Sequence, residues 1–100
     1  MALVIKKSTN FASARGTPSH DTNWDQFKWD FDAMNLKVIV KQGSTADLEM
    51  SFNGDDVHAA LPVPEANQNA LIYDFKFIGM SRVHFRKTGA DIECYAYGTE

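Results

Sequence analysis

The chain has 100 residues, of which 44% are hydrophobic and 23% charged, and a net charge of -3. That is the size of one domain with one core, because so short a chain buries only about two-thirds of its unfolded surface. Its pI near 5.5 argues against nucleic acid as the main partner, and its single cysteine, Cys94, excludes an internal disulfide or a thiolate metal cluster.

The opening "MALVIKK" does not read as a secretory signal, since its apolar run is short and its lysines follow that run. No apolar stretch approaches the roughly 20 residues of a membrane helix, so no membrane partner is expected. "LVIKK" fits a short edge strand. "SARGTPSHDTN", residues 13–23, is polar and turn-rich, and Pro18 holds its neighbour away from helical angles. Residues 1–26 are therefore expected to form an extended arm, and residues 27–100 a single domain.

Period-two alternation begins within "QFKWDFD", where a strand is expected over residues 27–31. In "MNLKVIVK", Met34, Leu36, Val38 and Val40 share one face and Lys37, Ile39 and Lys41 the other. "QGST" reads as a turn. Leu48, Met50 and Phe52 then alternate with Asp47, Glu49 and Ser51, the pattern of a sheet with one wet side. "NGDD" is a hairpin signal, because Asn-Gly readily takes positive φ angles. The strand after it places Val57, Ala59, Leu61 and Val63 in phase, until Pro62 and Pro64 end its pairing. Beyond the polar loop "PEANQNA", Leu71, Tyr73, Phe75 and Phe77 are in phase. "IGMS" is expected to turn the chain into "RVHFRK", and "KTGA" into a last strand with Ile92, Cys94 and Ala96 opposite Glu93, Tyr95 and Tyr97. The whole predicts an all-β fold: an antiparallel β-sandwich or small barrel of about six to eight short strands with an extended N-terminal arm.

The chemistry-bearing residues point away from catalysis. His20, His58 and His84 lack the spacing of a zinc pair, and no metal or cofactor is expected. There is no G-x-S-x-G elbow, and Asp21, Asp25, Asp30 and Asp32 read as a solvent face rather than an acid/base pair. Cys94 reads as a small buried strand residue in a protein made for a reducing cytoplasm. The alternative to plain packing is a carbohydrate- or receptor-binding module using Trp24, Trp29, Tyr95 or Tyr97.

In "SRVHFRK", Val83 and Phe85 face one way and Arg82, His84 and Arg86 the other. This basic strip is either a docking surface or a solubilising face neutralised by residues such as Asp74 and Glu93. Charge also divides along the chain. Residues 1–41 hold six basic and four acidic residues, whereas residues 42–70 hold five acidic and no basic ones. Unlike patches of this kind suit head-to-tail contact between copies.

Two stretches, "LEMSFNGDDVHAALP" and "SRVHFRKTGADIECYAYG", resemble a pattern of small tailed-bacteriophage virion proteins. Ser51, Phe52, Asn53, Gly54, Val57, His58 and Leu61 match its first part. Arg86, Tyr95, Ala96 and Tyr97 match its second. The resemblance implies a non-enzymatic structural protein present in many copies: a capsid decoration (cement) protein or a neck, tail or fibre component. It would be assembled in the host cytoplasm and bound to the major capsid protein or another virion protein. The expected partner-binding residues are Phe11, Arg15, His20, Trp24, Trp29, Arg82, His84 and Arg86, with strand addition and a homo-oligomer as the physical mode.

Overall fold

A computed structural model describes residues 3–19, 22–41, 47–64, 68–88 and 92–100, with residues 77 and 78 as backbone only. The expected turns "QGST" and "KTGA", the side chain of Phe77, and His20 lie wholly or partly outside them. The described residues form seven strands: β1 (Val4–Lys7), β2 (Phe11–Gly16), β3 (Asp25–Lys41), β4 (Leu48–Ser51), β5 (Ala59–Leu61), β6 (Ala70–Lys87) and β7 (Cys94–Thr99). All pairings are antiparallel, in one sheet of order β1-β2-β7-β3-β6-β4-β5. Its two edges, β1 and β5, do not meet, so the sheet is open rather than a closed barrel.

Two long strands make this sheet fold over on itself. Residues 27–31 and 34–41, expected as separate strands, are both parts of β3. Buried residues in β3 fall first at Phe27, Trp29, Phe31 and Ala33, and then at Leu36, Val38 and Val40. The phase changes where the β3–β6 register shifts, between Lys28 and Ala33 and again between Ala33 and Asn35. An extra residue in a strand bends it and re-aims its side chains. Met34 consequently leaves the apolar face assigned to it and is 40% exposed. In β6, "IGMS" is not a turn between strands. The strand runs through it, with Gly79 at φ 58°, an angle that suits glycine.

One layer comprises β1, β2, β7, the second half of β3 and the first half of β6. The other comprises the remaining halves of β3 and β6 with β4 and β5. Small residues line the first layer's inner face (Ala12, Ala14, Ala96), while Phe27, Trp29, Val83 and Phe85 supply bulk from the second. The layers meet where Gly98 of β7 adjoins the Trp29 ring. Lys7 in β1 also reaches Asp30 in β3, at 3.4 Å, although β2 and β7 separate these strands in the sheet order.

The segment expected as an arm is built into this architecture. β2 pairs with β7 from Phe11↔Thr99 to Gly16↔Cys94, and Ala12 and Ala14 are core residues. Alternation over "FASARG" is in small residues, so a hydrophobicity reading passes over it. Farther on, Pro18 is buried, and the Ser19 amide and hydroxyl donate to the Asp25 carboxylate at 2.9 and 3.1 Å.

Candidate functional site

The expected binding residues divide between the two outer faces. On the second layer, directly opposed residues share a face, which sets Gln26 and Ser51 beside His84, Lys28 beside Arg82, and Glu49 beside Arg86. Arg86 is tied down. Its Nε donates to Glu49 Oε1 at 2.6 Å, its Nη1 to the Thr22 carbonyl at 3.3 Å, and its guanidinium lies 4.2 Å from the Trp24 ring centroid. The acidic partner is thus Glu49. Asp74 instead faces Lys37 at 3.8 Å, and Glu93 accepts from the Tyr95 hydroxyl at 2.7 Å.

His84 is not part of an open strip. Loop 52–58 folds over it, leaving the residue 8% exposed. Gly54 takes φ 78°, and a Cβ there would meet His84 Nε2 at 3.2 Å. The His84 Nδ1 lies 3.3 Å from the Ser51 carbonyl, which only accepts, so Nδ1 carries the proton. Nε2 then accepts from the Gln26 amide at 3.4 Å. Burial lowers the pKa of His84, the main cause, and the Arg82 charge adds to this against the Ser51 hydrogen bond and Asp55. Burial thus favours the neutral ring, and both nitrogens are engaged, an arrangement that holds the loop. Arg82 alone of the three basic residues stays exposed. Beside the other two lies a shallow polar basin of about 590 Å³ bounded by Trp24, Asp55, His84 and Arg86.

Trp29 requires the plainest correction. It is 1% exposed and its indole N–H donates to the Met80 carbonyl at 3.1 Å, so it presents nothing to a partner or a sugar. Its position on the apolar phase of the strand, with Phe27 and Phe31, carries that signal in the sequence.

Loop 52–58 is fixed internally. Asn53 Oδ1 accepts from the Asp55 and Asp56 amides at 2.9 and 3.0 Å and from the Ser51 hydroxyl at 2.9 Å. Ser51 Oγ accepts from the Gly54 amide at 2.9 Å. The neck closes where the Phe52 amide donates to His58 Nδ1 and the His58 amide to the Met50 carbonyl, both at 2.9 Å. The hairpin signal at "NGDD" is present as this wider loop, with Val57 in it and 44% exposed.

On the first layer, register aligns Val4, Arg15, Tyr95, Ile39 and Ile72 across the outer face, and beside them Lys6, Ser13, Tyr97, Lys37 and Asp74. Phe11 lies here, 43% exposed, its ring 6.1 Å from Tyr97. A cleft of about 330 Å³ opens between Asn35, Lys37, Asp74, Lys76, Tyr97 and Thr99. The sequence puts these lysines on the polar phase of their strands. It does not reveal that β7 carries both tyrosines between β2 and β3.

Cys94 is buried, and burial first, then Glu93 and Asp25, pushes its thiol up to about 12. Among the described residues, no cluster of three or more His, Cys, Asp and Glu side chains could hold a metal ion. Comparison with protein families, characterised proteins and solved structures found no match.

Proposed function

We propose that this chain is a non-enzymatic structural protein of a phage particle. It binds and stabilises the capsid or another virion part, works without a cofactor, and is assembled in the host cytoplasm. The observation that carries the binding mode is the edge strand β1. All four of its residues are exposed, Val4 by 46% and Ile5 by 40%, and it ends the sheet. A free strand edge offers a row of backbone donors and acceptors to a neighbouring chain. Lys6 and Lys7 guard one half of it, which leaves Val4 and Ile5 as the pair of residues fitted to take a partner strand.

The carbohydrate reading has less support. Trp29 lies in the core, and one face of Trp24 is covered by Arg86.

Particles assembled without this chain provide the test. The intact chain should co-sediment with them, and a chain lacking residues 1–8 should not. Undiminished attachment of the truncated chain counts against the reading. Val4→Glu, at an exposed position, checks the same point without removing a strand. Circular dichroism confirms that both variants are folded.

A further inference from the structure

We propose that the first layer's outer face receives loop 52–58 of a second copy of this chain, in a head-to-tail contact. The face is basic although the protein is acidic. Lys6, Arg15, Lys37, Lys41 and Lys76 stand on it in register, against Asp74 and the Glu93 carboxylate that reaches the Tyr95 hydroxyl. Apolar surface accompanies the charge: Phe11 and Ile72 are 43% and 59% exposed. Phe11 stands beside Tyr97, which lines the cleft, and Ile72 lies three strands from Phe11 on the same face.

The loop offers the complement. Asp55 and Asp56 are exposed beside Val57, itself 44% exposed. Anionic tips next to one apolar side chain match a cleft in which Lys37 and Lys76 stand beside Tyr97. The Ser51 and Asn53 hydrogen bonds hold the loop in shape before contact, which reduces the entropy lost on binding.

Geometry makes the contact intermolecular. The loop packs on His84, on the second layer's outer side, and the cleft faces outward from the first layer. A copy therefore cannot fill its own cleft. Two different surfaces meeting in this way form a heterologous interface, which propagates into a ring or a filament.

Sedimentation velocity on the full chain tests this. Self-association is expected at about 50 mM NaCl and a loss of at least about tenfold in affinity at about 500 mM, where charges are screened. Lys37→Glu with Lys76→Glu should give monomers, and so should Asp55→Lys with Asp56→Lys. Mixing these two double variants should restore association, because each then meets an opposite charge on the other. A chain that stays monomeric at about 100 µM in low salt, or an association that ignores all four substitutions, overturns the proposal. So does a monomer whose face binds a labelled single-stranded oligonucleotide or a glycan through Lys37 and Lys76. The inference goes beyond particle binding: a chain that attaches to particles only as a monomer would overturn it and leave that reading intact.

Discussion

Trp29 and Gly98 meet across the two layers: a Cβ on Gly98 would lie 3.6 Å from the indole ring. This contact joins the bent half of β3 to β7 and places the largest buried side chain against the smallest residue. Trp29→Ala should cost about 3–5 kcal/mol of stability, read from urea denaturation. Gly98→Ala meets only ordinary contact distances and should stay within about 1 kcal/mol of the parent. Gly98→Leu overpacks the same spot and should cost about 1–3 kcal/mol.

Asn53 holds loop 52–58 through three hydrogen bonds accepted by its Oδ1. Asn53→Ala should lower stability by about 1–3 kcal/mol, and the Asp55 and Asp56 amides should exchange hydrogen faster. Unchanged exchange would show that the loop is held by other means.

Gly54 combines φ 78° with a close His84 ring. Gly54→Ala should destabilise by about 1–3 kcal/mol, because it strains the backbone and presses on the imidazole. Thermal denaturation reads the effect, and a neutral result would mean that the loop can lift off His84.

His84 gives a pH dependence of definite sign. Its folded pKa lies below the ordinary histidine value, so the unfolded chain binds the proton more readily. Its contribution is complete above about pH 6.5 and is lost as pH falls from there through the folded pKa. Stability measured by urea unfolding should therefore drop across that window, and His84→Asn should be less stable with a flatter profile. Equal slopes in the two proteins would remove His84 as the cause.

Cys94, with its thiol pushed up to about 12, should be inert to a thiol reagent at pH 8 in the native protein and react fully in denaturant. Fast native labelling would contradict the burial of β7.

Alternation made much of this fold legible. Leu48 and Met50, Val83 and Phe85, and Ile92, Cys94 and Ala96 are buried in phase as their spacing predicts. Bends are harder to read, because a bulge such as that between Ala33 and Asn35 depends on register with a partner strand. β2 escaped notice because Ala12 and Ala14 bury little apolar surface each. For the candidate site, the exposure of Arg15 and Arg82 agrees with the polar phase of their strands, whereas that of Phe11, on a strand paired on both sides, is not marked by its residue type. His84 went the other way because a loop from β4 covers it, a tertiary fact that strand periodicity does not encode.

Quantitative mass spectrometry of purified particles, made by the genome that encodes this chain, tests the proposed role most directly. The structural-protein reading predicts the chain in many copies per particle, at a fixed ratio to the major capsid protein. Its absence from particles, while it is abundant among the free proteins of the infected cell, would contradict that reading.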